Sequence, residues 1–257
     1  MMPSSRSGRS FEGVRNIVRF NWDYYVISTL AFGTAIMVFS VRVLPWSLRM
    51  AALCGGVCLV FWACSSLLAS WYVYDVAAVT SWDWIRERLQ FSPGRWANIH
   101  AGLDQSTASL RRLFPDSEGT VIDIYDSETM TEASIARARR LYPTREPFTP
   151  GRAGSLPLPD RDRDVVFLLF SAHEVRAAAD RIELLRETNR VLNQRGRVVM
   201  VEHLRDLPNF LAFGPGFLHF HSVRSWQTSI QKAGLQIEQQ WCVTPFVRCF
   251  VLCKADA

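Results

Sequence analysis

Charge vanishes twice from the first third of the chain. No Asp, Glu, Lys or Arg occurs from Tyr24 to Val41 or from Met50 to Tyr74, and the segment Arg42–Arg49 separates the two runs. At 1.5 Å per residue, each run is long enough to cross about 30 Å of hydrocarbon. Trp22, Tyr24 and Tyr25, Trp46, and Trp71, Tyr72 and Tyr74 stand at the ends, where aromatic rings favour the headgroup level. Small residues (Gly33 and Ala35, Gly55 and Gly56) allow close helix contact. The pattern predicts two transmembrane helices, about 24–44 and 50–74, behind a polar tail of residues 1–23. A buried hairpin in a soluble core is one rival, but two adjacent charge-free runs of this length are rare there. A cleaved signal peptide is the other, and the long basic leader followed at once by a second span argues for a retained anchor. Arginines Arg6, Arg9, Arg15 and Arg19 precede the first run and Arg86, Arg88 and Arg95 follow the second, against Arg42 and Arg49 between them. That bias predicts both termini in the cytosol, with the chain in the inner (cytoplasmic) membrane.

Residues 75–94 interleave Val76, Val79, Trp82, Ile85 and Leu89 with charges and read as an amphipathic connector, lying on the membrane surface or packed on the domain that follows. Ser92-Pro93-Gly94 is a turn and a natural boundary, leaving residues 95–257 as a domain. Its pattern alternates. Strands are expected at Trp96–Ala101, Thr120–Ile124, Val165–Phe170 and Val198–Val201, with a short one within Phe148–Ala153. Helices are expected at Ser106–Phe114, Thr129–Tyr142, across Ile182–Leu192, and at Val223–Ala233. Gly196 and Gly234 are expected as left-handed helix stops. Two last strands, Ile237–Val243 and Phe246–Cys253, complete an α/β sheet, mostly parallel with one antiparallel strand. In such sheets ligands sit beyond the carboxyl ends of the strands, and here those ends carry polar, titratable residues.

Composition narrows the partners. The net charge of +5 is almost all arginine, since Lys232 and Lys254 are the only lysines. The arginines alternate with acids along helices, as on solvated faces, so no nucleic-acid partner is expected. Cys54, Cys58 and Cys64, and Cys242, Cys249 and Cys253, lack CxxC or finger spacing and predict reduced thiols with no metal site.

Two segments carry a resemblance. RDRDVVFLLFSAHEV, continuing to LLRETNRVLNQRGRVVMVE, is similar to the fourth strand, following helix and fifth strand of class I S-adenosylmethionine (SAM)-dependent methyltransferases. Gly151–Asp160 resembles the segment of that family that precedes the fourth strand. The similarity covers about Arg95 to Lys254 and implies a Rossmann-like sheet with SAM as cofactor. It places the cofactor loop at His100-Ala101-Gly102-Leu103-Asp104-Gln105-Ser106-Thr107, where the family has Asp-x-Gly-x-Gly-x-Gly. Only Gly102 survives. Asp104 is then expected near the cofactor's amino group, with Ser106 or Thr107 capping the next helix. Asp123 and Asp126 compete for the ribose hydroxyls. Arg152 and Ala153 fall near adenine, where an arginine can stack but cannot accept a hydrogen bond.

By the same resemblance Ser171, His173, Glu174, Glu202 and His203 lie nearest the methyl group, His173 or His203 as a base and Glu174 orienting the acceptor. The aromatic, Gly/Pro-broken segment Leu204–Trp226 is expected to line an acceptor pocket. The sequence thus predicts a membrane-anchored, SAM-dependent methyltransferase acting on a small lipid- or quinone-like acceptor. A degenerate, membrane-tethered binding module is the second reading. A nicotinamide oxidoreductase is the third, but it lacks its Gly-x-Gly-x-x-Gly signature.

Overall fold

The computed structural model describes residues 11–77, 79–144 and 146–255. They divide into two compact units, one within Met1–Ala78 and Leu207–Phe217, the other within Val79–Asp206 and Leu218–Ala257.

The first unit begins with helix α1 (Glu12–Phe20), where the sequence suggested only a polar tail. Its opening N–H groups at Gly13 and Val14 donate to the Asp75 carboxylate at 2.8 and 3.2 Å, so a distant side chain satisfies donors the helix cannot. Arg6 and Arg9 lie outside the described residues. Helices α2 (Trp22–Ser40) and α3 (Trp46–Ser70) form the hairpin, and a π-helical turn, Trp71–Val76, extends α3. Both are long and apolar enough to cross a bilayer, and most of their surface is not covered by protein. Of the small residues, Gly56 and Ala35 make the close contact: a Cβ at Gly56 would lie 2.8 Å from that of Ala35. Gly33 and Gly55 face open space. At the turn, Arg49 Nε donates to the Phe39 carbonyl at 2.6 Å, and its guanidinium lies over the Phe39 and Trp46 rings. Helix α8 (Leu207–Phe213) packs on α3 within this unit; the sequence suggested a loop there.

The second unit starts with a broken connector in place of one amphipathic helix. A 3₁₀ turn, Val79–Ser81, leads to Trp82 at φ 61°, then α4 (Asp83–Leu89), then Gln90 at φ 56°. Val79, Trp82, Ile85 and Leu89 are buried, so the stripe is kept from Val79 onward although the helix is cut, whereas Val76 is exposed.

The sheet is built from β1 (Arg95–His100), β2 (Glu118–Asp123), β3 (Thr149–Pro150), β4 (Arg163–Leu169), β5 (Leu192–His203), β6 (Leu235–Thr244) and β7 (Val247–Lys254). Its order is β3-β2-β1-β4-β5-β7-β6, and β7 alone runs antiparallel. Helices α5 (Thr107–Leu113), α6 (Ala133–Leu141), α7 (Ala178–Val191) and α9 (Val223–Lys232) connect the strands. Helix α6 starts four residues later than its pattern suggests. Asp126 accepts from Glu128 N and Thr129 Oγ1 and holds those residues in a turn. Gly196 is not left-handed: α7 ends at Val191, Leu192 is already extended, and the glycine lies within β5 where its register against β4 shifts between Leu192 and Arg197. What glycine provides there is room, since a Cβ would lie 2.9 Å from the Arg163 carbonyl oxygen. Gly234 does stop α9, at φ 71°.

The core is the apolar alternation of the strands. Val166, Leu168, Val198, Met200, Phe250 and Leu252 pack with Leu184, Leu185 and Trp226 of the helices, all essentially inaccessible to solvent. Trp96, Phe114 and Phe167 fill the other face of β1 and β4. Leu168→Ala should lower the unfolding free energy by about 2–5 kcal/mol, the usual loss for emptying a packed leucine site. Denaturant titration of the full chain in detergent checks this, and a loss below about 1 kcal/mol would contradict the central place of β4.

Candidate functional site

The strand order reverses between β1 and β4, and the carboxyl edge at that point is where α/β sheets open a crevice. The loop leaving β1 turns at Gly102, φ 90°. Asp123, the last residue of β2 and 7% exposed, reaches across to it: Oδ1 accepts the Gly102 N–H at 2.9 Å and the Tyr125 N–H at 3.0 Å. Its other oxygen, Oδ2, accepts from Arg139 Nη1 of α6 at 2.8 Å. That guanidinium lies 4.1 Å from the centre of the Tyr125 ring, and its side chain rests on Gly102, where a Cβ would meet Arg139 Cδ at 2.8 Å. His100 is buried, with Nδ1 3.6 Å from Asp123 Oδ1; burial holds its pKa below the ordinary value, although Asp123 and Asp104 pull the other way.

The rest of the loop turns inward. Asp104 Oδ1 accepts the N–H groups of Ser106 and Thr107, both at 3.0 Å, and so caps α5. The cap was expected from Ser106 or Thr107. Their hydroxyls instead accept from Asn98 Nδ2, at 2.9 and 2.8 Å. Asp104 is thereby occupied at the helix start. Of the two ribose candidates, Asp123 is buried at the strand end, while Asp126 is exposed and caps the turn before α6. Arg152 is exposed and forms a backbone bridge with Ser155, and Ala153 packs partly against the core. Ser171 Oγ donates to the Ile99 carbonyl at 2.7 Å, tying the end of β4 to β1.

Beyond β4 lies a second group. Glu202 of β5 is fully buried, and its Oε1 accepts the N–H groups of Ala172 and His173 at 2.9 and 3.2 Å. Its Oε2 is 2.5 Å from His173 Nδ1. His173 Nε2 faces Glu174 Oε1 at 3.5 Å, and His219 Nε2 faces the same oxygen at 4.0 Å. Burial alone would depress the His173 pKa, but the Glu202 charge and the hydrogen bonds His173 donates to both carboxylates outweigh it and push it up to about 10. His219, also close to Glu132, is held below its ordinary value by burial and by the His173 charge. His173, Glu174 and His219 each offer a ligand-type atom within 4.8 Å of the others, the composition of a cation site. His173, with its raised pKa, supplies one positive charge between the two carboxylates.

His203 stands apart from this group. Its ring is stacked between Phe170 and Phe220, with centroids at 5.1 and 4.9 Å, and Nδ1 donates to the Phe246 carbonyl at 2.9 Å.

Comparison with known proteins agrees with this fold. A family model described as a methyltransferase domain matches residues 99–200. A demethylmenaquinone methyltransferase of Thermotoga maritima is 30% identical over 138 residues, 54% of this chain and 55% of that protein. The chain thus spans about half the length of the curated relative it matches. The fold is shared with a SAM-dependent methyltransferase from Aquifex aeolicus at TM-score 0.51 and 14% identity, covering 66% of this chain and 87% of that one. It is also shared with the mitomycin 7-O-methyltransferase MmcR at TM-score 0.54 and 16% identity, covering 97% of this chain and 74% of that one. Residues 99–200 thus match a methyltransferase domain, and the fold around them is that of SAM-dependent methyltransferases.

Against that family's cofactor, the methyltransferase domain fits with one condition. The buried Asp123 carboxylate stands at the end of β2, and the left-handed Gly102 lets the backbone come close. Arg139 covers that glycine and engages Asp123 Oδ2; its side chain is 35% exposed and must swing toward solvent to uncover them. Arg139 was missed because an Arg-Ala-Arg-Arg helix reads as a solvated face. His219 and Glu132 come from distant stretches, and no local spacing joins them to His173. Asn98 was visible as a lone polar residue inside an apolar strand.

NMR of histidine-labelled protein should show His173 protonated through pH 8 and titrating near 10, with Glu202→Gln bringing it down. Because the folded pKa is raised, this group's contribution to stability is complete below about pH 6.5 and is lost as pH rises toward 10. Titration near 6.5 in the wild type would contradict the buried ion pair.

Proposed function

We propose that this chain is a membrane-anchored methyltransferase that uses SAM on a small, apolar, membrane-associated acceptor of lipid or quinone type. The observation that carries the reading is the buried Asp123 carboxylate tied to the N–H of left-handed Gly102 at the reversal of strand order. In this reading α2 and α3 cross the inner membrane, with both termini and the domain in the cytosol, and the arginine distribution supports that orientation.

The cofactor supplies an electrophilic methyl group. Asp123 accepts the ribose hydroxyls, Gly102 admits the methionine portion, and Arg139 withdraws from both. His100, Ser106, Thr107 and Ser171 shape the floor of the pocket, and Asp104 acts through the helix it caps. His173, fixed as a cation by Glu202 and Glu174, is a donor suited to hold an acceptor oxygen as negative charge develops. His203, stacked between Phe170 and Phe220 with Nδ1 donating to the Phe246 carbonyl, is the second candidate base. The name of the Thermotoga maritima relative supports a quinone-like acceptor.

One observation favours the second reading, a degenerate binding module: Arg139 lies where the cofactor would be. Calorimetric titration of the full chain in lipid nanodiscs with SAM separates the two. The wild type should bind. Asp123→Asn should bind about tenfold or more weakly, the worth of charge-assisted hydrogen bonds. Arg139→Ala should bind about two- to fivefold more tightly, as release of a partly exposed ion pair allows. Absence of heat with both wild type and Arg139→Ala would leave the binding-module reading. Radiolabelled SAM added with host membrane lipid extracts should label a lipid-soluble product.

A further inference from the structure

We propose that Leu207–Phe217 is a re-entrant element that lies within the hydrocarbon of the bilayer against α3. The proposal rests on the reading of α3 as a membrane span. From Leu207 to Val223 the chain carries no Asp, Glu, Lys or Arg, although Arg205, Asp206 and Arg224 bracket it closely.

The burial of α8 is inverted relative to a helix in water. Its one polar side chain, Asn209, is fully buried, whereas Leu207 and Leu211, one turn apart, are 67% and 51% exposed. A water-facing helix buries leucine and exposes asparagine; hydrocarbon asks for the reverse. The exposed leucines continue the apolar surface of α3, where Val57, Phe61 and Leu68 are 52%, 54% and 65% exposed.

The place of attachment sets the depth. Phe210 packs edge-on against Trp62 of α3 at 5.6 Å. Gly214, at φ 54°, comes so close to the same indole that a Cβ would lie 2.6 Å from it. Trp62 precedes Trp71, the aromatic residue at the exit of the span, by nine residues along the helix, about 14 Å at 1.5 Å per residue. That is nearly half of the roughly 30 Å hydrocarbon core. The segment following β5, which the sequence assigned to the acceptor pocket, therefore reaches the depth at which an acceptor with a hydrocarbon tail resides.

Nitroxide accessibility in nanodiscs tests this. Cys54, Cys58, Cys64, Cys242 and Cys253 are replaced by serine, and one label is placed through Leu211→Cys, Val57→Cys or Asp206→Cys. At 211 and 57, collision with dissolved oxygen should be retained and collision with a water-soluble nickel chelate lost, whereas the label at 206 should meet the chelate. Chelate access at 211 with none at 57 overturns the re-entrant segment and leaves the anchor intact. Access at both overturns the anchor and this proposal together. In the chain with its native cysteines, a benzophenone amino acid at position 211 should photocrosslink to phospholipid acyl chains, and failure to do so counts equally against the proposal.

Discussion

At the carboxyl edge of the sheet, buried carboxylates hold the backbone of the loop that leaves the neighbouring strand. Asp123 at the end of β2 takes the N–H of Gly102 after β1, and Glu202 near the end of β5 takes the N–H groups of Ala172 and His173 after β4. A loop forced below the surface carries N–H groups that water cannot reach, and leaving each unpaired would cost about 1–3 kcal/mol. Placing the acceptor on the adjacent parallel strand meets that cost and fixes the register of the loop against its neighbour. The price is buried negative charge at Asp123 and Glu202, which Arg139 and His173 answer in turn.

Those answers differ in kind. Glu202 is balanced internally, by His173 within the same enclosed group, so its compensation is permanent. Asp123 is balanced from outside, by Arg139 on a long and partly exposed side chain. A ligand bearing hydroxyl donors can replace such a partner, because carboxylate and guanidinium both stay solvated or hydrogen-bonded after the exchange. Loss of the later glycines of the loop fits the same economy of space. Asp104 and Ser106 fold onto Asn98 and α5, so they take up positions a glycine would leave empty.

Much of the fold was legible because it is written in short-range periodicity. The charge-free runs, the strands of four to eight residues and the helical spacing of Leu184 and Leu185 each depend on neighbours in sequence. The errors cluster where a distant group decides. Gly196 looks like a helix stop until Arg163 is seen beside it, and the start of α6 shifts because Asp126 holds the residues before it. The candidate site was legible at strand ends, where topology gathers Asp123, His173 and His203 whatever the loops do. Arg139, Glu132 and His219 were not, since a helix face and an aromatic loop give no local sign of what they will meet.

The segment that follows β5 packs on α3, within the unit that holds the apolar hairpin. A soluble methyltransferase can let the segment after its fifth strand close over an acceptor from water. Here that segment is spent on α3: Phe210 and Gly214 fasten it to Trp62. A polar acceptor would gain nothing from a wall of leucine and phenylalanine, and the exposed Leu207 and Leu211 would cost solubility in any aqueous setting. A tail-bearing acceptor needs such a wall, because leaving the bilayer would expose about 0.8 kcal/mol of hydrocarbon for each methylene. Burying Asn209 while exposing Leu207 and Leu211 is the arrangement a hydrocarbon solvent favours, as the proposed anchor requires.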